Sequence, residues 1–527
     1  MVRHGVEQGP ALRPLLKRLG RLPVGWLAVA GSFAYGILLL LVRGRPTIDL
    51  DAGIFLSVAA RLLDGDRLYS GVFDNKDPLF YYADAAALWV GGWRGPFLLD
   101  VLWLTIAAAS VVALLRALGA PLGAVVAGFA AYPLLLTGEW YYAGYSLLAS
   151  LALAPLVAWL WVRGSLGWAG AALGAALLFR ASLLLVLVSA PVALLLVRPT
   201  ARAARGQIAR AGAGVGVVAA AAAIALAARG ELVPYVNTEV DNVGYSNRVL
   251  VDTGRRSGIV GHVRAVAGAT EHYRLVVALF FVTALIAVWT LVRTRRAGAL
   301  GAASRALAAL YLAATVTTTV TLGLTAAWDH HVQMLAYPGV LLIAFLVTFL
   351  LALRPAYVGF AGALAALGVG LVLIGGTRSS PGASAPISTW FSAVHSDTAD
   401  ALEEARARWV PGRDPVTYAH LGQNDELAHA AFLDRGFRLA CAVFHQYTYT
   451  GNLTGVLRCV ERKRPELILV TSSFSLDPTR PARWNDFVAS GRRLLERLYV
   501  QELVRPSLRG PVEVWKLHAG ESAPTHA

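Results

Sequence analysis

Between Thr47 and Ala83 the chain reads TIDLDAGIFLSVAARLLDGDRLYSGVFDNKDPLFYYA, with Asp49, Asp51, Asp64, Asp66, Asp74 and Asp77 set against Arg61, Arg67 and Lys76. Asp49 and Asp51 come a few residues after the first long apolar run, and Lys76 stands just before Pro78. A carboxylate and a lysine held together at a water–lipid boundary suit a lipid-linked phosphate. The ammonium binds the phosphate as a point charge, while an aspartate acts as base or steers a metal. The plainer alternative is that the acids keep an outer loop from being retained inside, but acidic residues contribute little to topology.

The elements that must position these groups are membrane spans. Of the 527 residues 57% are hydrophobic and 15% charged, with a formal charge of +15. Soluble domains carry about 25% charge, so the balance points to a bilayer as solvent. Basic residues cluster in short links between apolar runs, and no basic face with interleaved aromatics stands out, which argues against nucleic acid as a partner. Runs long enough to cross roughly 30 Å of hydrocarbon lie near 24–43, 97–117, 121–137, 144–162, 166–180, 181–197, 211–229, 273–292, 306–327, 333–353 and 355–375. The stretch 166–197 is too long for one span and short for two, and Arg180 with Ser182 breaks it near the middle. Reading it as two short spans gives about eleven, and only then does the positive-inside rule hold throughout. Arg13, Lys17, Arg18 and Arg21, then Arg116, Arg163, Arg198, Arg293 and Arg354 fall on one side. That side is expected to be cytoplasmic, with the N-terminus. The acidic loop 44–96, GEWYYA, the loop 230–272 and WDHH fall on the other.

Residues 1–375 thus read as a transmembrane domain, 376–390 (within GGTRSSPGASAP and its continuation) as a linker, and 391–527 as an extracytoplasmic domain. In that tail DPVTYAHLG, FRLACAVFH, PELILVTSS and VEVWKL read as strands, while TADALEEARARWV and WNDFVASGRRLLERLYVQEL have helical periodicity. The alternation suggests a small α/β domain. Cys441 and Cys459 are the only cysteines. They support neither a zinc site nor a disulfide scaffold, though one bridge is open to them in an oxidising compartment.

Within the acidic loop, Ile54, Phe55, Val58, Leu62 and Leu63 recur near helical spacing, which predicts a short amphipathic helix on the membrane surface. DGD then turns the chain, and FDNKDPLFYY returns it toward the bilayer. This stretch resembles the first external loop of the GT-C membrane glycosyltransferases, and most closely the bacterial relatives of protein O-mannosyltransferases and aminoarabinose transferases. Their pattern is an acidic pair, an amphipathic stretch, L-x-x-G-x-x-Y and then K-P-P-L-x-Y. Here Asp51, Leu63, Gly65, Tyr69, Lys76, Pro78, Leu79 and Tyr81 stand in that order. The resemblance implies a polytopic α-helical GT-C-like fold with Asp51 deprotonating or orienting the acceptor and Lys76 contacting the donor phosphate. Two departures stand out: the second acid of the pair is Ala52, and the first Pro of KPP is Asp77. Asp49 is a substitute for the missing acid, so the base and metal roles of Asp49 and Asp51 stay open between them.

Further candidates come from the other outer turns. Glu139, in TGEWYYAGYS, is the one acid of the next external turn and is expected near acceptor or metal. Its aromatic neighbours fit either an interfacial belt or a sugar-stacking platform. Arg180 lies where relatives often keep a cation facing the lipid phosphate, with snorkelling as the alternative. His330 and His331, adjacent in TAAWDHHVQMLAYPG, cannot share one helical face, so a metal pair is not supported by spacing. His331 is expected to donate a hydrogen bond to phosphate or sugar, with His330 and Tyr81 as acceptor or sugar contacts. The loop 230–272 is too polar to span and is a candidate cover for the site.

Together these readings predict a plasma-membrane enzyme that moves a sugar from a polyprenyl-phosphate donor to an acceptor outside the cytoplasm, by inversion. The donor phosphate would sit among Lys76, Arg180 and His331; the acceptor would be a protein, a glycolipid or a cell-wall glycan. A monophosphate leaving group reduces the need for a metal, and a divalent ion at Asp49 or Asp51 stays open. The competing readings are a transporter or flippase of lipid-linked glycan and a non-catalytic scaffold that binds cell-wall glycan. A transporter would want its charges inside the bundle, whereas these gather at one interface.

Overall fold

The computed structural model describes residues 24–42, 50–72, 74–137, 145–197, 201–253, 271–293, 299–324, 329–353, 397–412, 415–422, 435–441, 453–478, 482–506 and 510–519, together with Phe432. The predicted run 355–375 and the linker 376–390 lie outside these residues. The helices of the bundle, in chain order, are α1 (Val24–Val42), α2 (Leu50–Leu63), α3 (Pro78–Gly91), α4 (Gly95–Ala117), α5 (Leu122–Leu136), α6 (Ser146–Val162), α7 (Leu166–Phe179), α8 (Leu184–Val197), α9 (Ala201–Ala228), α10 (Leu232–Thr253), α11 (Glu271–Arg293), α12 (Ala299–Leu324) and α13 (Ala336–Leu353). Among the described residues, four stretches are long and apolar enough to cross a membrane: Gly95–Ala117, Arg205–Ala228, Gly301–Leu324 and Gln333–Ala352. Shorter apolar helices fill in between them. The chain is built as a polytopic membrane protein.

Close backbone approach holds part of the bundle together. A Cβ at Gly170 would lie 1.9 Å from the carbonyl oxygen of Ala211, and one at Gly214 would lie 2.0 Å from that of Gly167. Helices α7 and α9 therefore touch along backbone that only glycine permits, the usual way for helices to gain contact where lipid offers no hydrophobic drive. At Arg180 the chain breaks as its sequence predicts. Helix α7 stops at Phe179, Arg180 is extended at φ −161°, ψ 94°, and a single 3-10 turn, Ala181–Leu183, leads into α8.

Helix α2 forms where the apolar spacing places it, but its partner is not the lipid surface. Ile54, Phe55 and Val58 are at most 2% exposed, and Phe55 meets the rings of Phe80 at 4.8 Å and Tyr145 at 5.7 Å. The aromatic run FYY at the start of α3 supplies apolar surface from within the protein, so the stripe is covered by side chains; Leu63 alone of the predicted five stays exposed, at 47%.

The C-terminal residues form helix α14 (Asp397–Trp409), then β1 (Val416–Leu421), β2 (Phe437–Leu439), α15 (Leu453–Lys463), β3 (Leu467–Val470), α16 (Ala482–Leu498), β4 (Tyr499–Arg505) and β5 (Val512–Leu517). The sheet order is β2-β1-β3-β5-β4. Strands β2, β1 and β3 are parallel, while β5 runs antiparallel to both β3 and β4. Strand β3 is buried along its whole length, as expected of a parallel strand covered on both faces. Strand β4 corrects the sequence reading, which carried the helix through YVQEL; Tyr499 is buried and pairs with Leu517 instead. Cys441 and Cys459 form a disulfide. This unit touches the tip of the first loop, where Arg438 Nε lies 3.7 Å from Asp64, itself beside Arg61.

Candidate active site

The loop joining α2 to α3 folds around the backbone of Lys76. Tyr69 adopts a left-handed φ of 64°, a conformation costing a bulky residue on the order of 1–3 kcal/mol. Its hydroxyl donates to the Lys76 carbonyl at 2.7 Å, and its ring packs 5.4 Å from that of Tyr235 on α10. The Lys76 N–H donates to the Tyr81 hydroxyl at 3.2 Å, which in turn donates to Asp74 Oδ2 at 2.5 Å. Two tyrosines thus clamp the residue from either side. The Lys76 ammonium lies 3.0 Å from Asn75 Oδ1 and 5.8 Å from the centre of the Phe55 ring.

Asp77 starts α3 at φ −70°, ψ 152°, the backbone a proline would adopt. The geometry a proline would fix is kept, and a carboxylate is added. That carboxylate is 7% exposed and accepts the Ala181 N–H at 2.9 Å and the Tyr235 hydroxyl at 3.1 Å. Burial raises the Asp77 pKa, while those two donors and the charges of Arg180 and Lys76 pull it back. One step along, Arg180 turns inward. Its guanidinium donates to Ser182 at 3.3 Å and Ser146 at 3.2 Å, approaches His331 Nε2 at 3.1 Å, and covers the Tyr145 ring at 5.2 Å. Arginine has no acceptor, so Nε2 must accept and the His331 proton sits on Nδ1.

Helix α10 roofs this assembly. Tyr235, Glu239 and Asn242, at positions i, i+4 and i+7, share one face. Asn242 donates to the Asn75 carbonyl at 3.1 Å and to Glu239 Oε1 at 3.0 Å. The other side shows Val233, Val236 and Val240, each at least half exposed. Burial, with Asp77 nearby, pushes the Glu239 carboxyl up to about 7. Glu231, fully buried at the start of α10, accepts the Leu68 N–H at 2.9 Å, the Arg229 guanidinium at 3.0 Å and the Tyr82 hydroxyl. It pins the roof to the loop and to α3. Beneath Tyr145, Asp84 and Asp100 line a cavity of about 10 Å³ with Phe80 and Phe179, room for one water.

The assembled architecture is matched by a known one. Arabinofuranosyltransferase AftD from Mycobacteria superposes on 95% of this chain with a TM-score of 0.51 at 15% identity. The chain has the GT-C fold. It spans 40% of the AftD chain. ArnT from Cupriavidus metallidurans also resembles it, bound to undecaprenyl phosphate (TM-score 0.47, 13% identity, 94% of this chain and 98% of that one) and in the apo state (0.46, 14%, 93% and 98%). Neither a family model nor a curated protein matches the sequence.

Within this GT-C fold the structure brings Arg180 and His331 into contact, and Asp77, next to Lys76 in the chain, accepts the backbone N–H of the residue after Arg180. Tyr81 is fully buried, with its hydroxyl between the Lys76 N–H and Asp74. Asp49 and Glu139 lie outside the described residues. Asp51 starts α2 and His330 lies in the 3-10 turn Asp329–Leu335, and only their backbone is described. Among the described residues no group of three His, Cys, Asp or Glu side chains is placed to hold a metal. Sequence reasoning missed Glu231, whose partners Leu68 and Tyr82 are far away in the chain, and Glu239. It also took Asp77 as a departure, when its position directly after Lys76 was the available signal.

Proposed function

We propose that the chain transfers a sugar from a polyprenyl-phosphate donor to an acceptor on the extracytoplasmic face of the membrane, with inversion. The observation that carries this reading is the contact between buried Arg180 and His331, tied to the Lys76 loop through the Asp77 carboxylate on the Ala181 N–H. Cationic and hydrogen-bonding groups held in low dielectric at a membrane boundary favour a phosphate whose charge grows as its bond to the sugar breaks. In this reading the lipid tail lies among the apolar helices and the phosphate sits between Lys76 and Arg180. Asp51, or Asp49 beside it, takes the proton of the acceptor hydroxyl as that oxygen attacks the anomeric carbon. The disulfide in the C-terminal unit supports an oxidising, extracytoplasmic location for it.

The test is sugar transfer by purified protein in liposomes, given labelled polyprenyl-phosphate sugar and a mixed acceptor extract. Labelled product that disappears in Asp51→Asn is the expected result. Movement of the lipid between leaflets without any transfer would replace this reading with that of a flippase.

A further inference from the structure

We propose that the C-terminal unit is part of the transfer site, with Arg438 as a positioning residue that acts on Lys76 through the tip of the first loop. The inference rests on the transfer reading above. Strand β2 is the edge of the sheet, and helix α2 lies against it. An edge strand presents unpaired backbone unless another element covers it, and here the first loop is that element.

The seam between them is ionic. Arg438 Nε lies 3.7 Å from Asp64 Oδ2. Arg61 engages Asp66 with two nitrogens, at 2.8 and 2.6 Å, and reaches Asp64 only at 3.6 Å. Asp64 therefore takes its second cation from the C-terminal unit. From Asp66 the connection runs into the site. The Arg229 guanidinium donates to the Asp66 carbonyl at 3.2 Å and to Glu231 at 3.0 Å, and Glu231 accepts the Leu68 N–H at 2.9 Å. Tyr69 comes next, and its hydroxyl holds the Lys76 carbonyl at 2.7 Å. Its left-handed φ of 64° persists only where the surroundings impose it. Chain fixed at Asp66 and Leu68 does so. Each exposed pair is weak alone, whereas charges that share partners hold a geometry together. A misplaced Lys76 would lose most where phosphate charge develops, so the effect falls on the rate of transfer more than on donor binding. Two of the loop's acids, Asp64 and Asp66, thus serve docking and not chemistry.

The experiment uses the full chain in liposomes, with hydrogen exchange of the amides from 64 to 72 and single-turnover transfer from a labelled polyprenyl-phosphate sugar. Arg438→Gln is expected to quicken exchange across that stretch. It should slow transfer roughly three- to fivefold, the scale of an exposed charge pair, and leave donor KM within about twofold. Asp64→Asn should do the same, and the double variant should be no slower than either single one. Arg438→Lys keeps the charge and should restore most of the rate. Arg492→Ala breaks an ion pair inside the C-terminal unit, 2.6 Å to Glu513, and controls for simple loss of stability. It should lower the unfolding temperature and leave loop exchange unchanged. Effects that multiply in the double variant, or loop exchange that Arg438→Gln does not move, overturn the proposal and leave the transfer reading intact. Quickened exchange in a protein that transfers nothing from any polyprenyl-phosphate sugar keeps the seam but removes the transfer reading and the role given to Arg438.

Discussion

The carboxylate of Asp77 accepts the backbone N–H of Ala181 at 2.9 Å. With its other oxygen on Tyr235, it joins three elements that the chain keeps far apart: the first loop, the turn beside Arg180 and the roof helix α10. Asp77→Ala is expected to lose about 1–3 kcal/mol of stability, because the Ala181 N–H loses its acceptor. Asp77→Pro is more telling, since φ −70° already suits proline. That variant should fold with an undisturbed α3 start yet lose transfer at least about tenfold through misplacement of Arg180. Thermal unfolding and transfer kinetics together check this; full activity in Asp77→Pro would reduce the carboxylate to a local cap.

Arg180 spends its guanidinium nitrogens on Ser146, Ser182 and His331, a fork that lysine cannot reproduce. Arg180→Lys is therefore expected to weaken lipid-phosphate binding about 10- to 100-fold, the equivalent of one or two charge-assisted hydrogen bonds. His331→Ala should weaken it less, since it loosens the arginine without removing the charge. Titration with a short-chain polyprenyl phosphate measures both; equal loss in the two variants would make His331 a direct phosphate ligand.

The buried acids give stability a pH signature. Burial raises the Glu239 pKa from 4.5 to about 7 and raises that of Asp77 above 3.8. A carboxyl raised in the folded state binds more protons there than in the unfolded chain, so stability falls as pH rises. The contribution is complete below about pH 4 and is lost as pH climbs through about 7. Glu239→Gln should flatten the part of the thermal stability profile between pH 5 and 8. A wild-type profile that rises over that interval and is unchanged by the substitution would exclude this account.

Reduction of the disulfide should act locally. Cys441 and Cys459 are 18 residues apart, a loop for which a bridge contributes roughly 3 kcal/mol by restricting the unfolded chain. The bridge links the segment following β2 with helix α15. Cys441→Ala with Cys459→Ala should lower the unfolding temperature of the C-terminal sheet without moving that of the helical bundle. Calorimetry resolves the two if they unfold separately. A shift confined to the bundle would show that the bridge acts through the contact at Asp64 and Arg438.

What the sequence determined by itself is what neighbours in the chain decide. Apolar spacing set where helices form. Arg180 and Ser182 in a greasy run marked a break, and the order of Asp51, Tyr69, Lys76 and Pro78 marked the loop that holds the candidate chemistry. The same local reasoning ran helix α16 on into YVQEL, because Leu, Tyr and Val there keep helical spacing; pairing of Tyr499 with Leu517 decided for a strand. Only the tertiary structure could join Arg180 to His331 across 151 residues, Asp77 to Tyr235 across 158 and Leu68 to Glu231 across 163. Dihedral preference and periodicity act within a few residues, whereas these meetings depend on which helix faces pack. For the same reason an aspartate in place of a proline looked like a defect in the motif until its partners stood beside it.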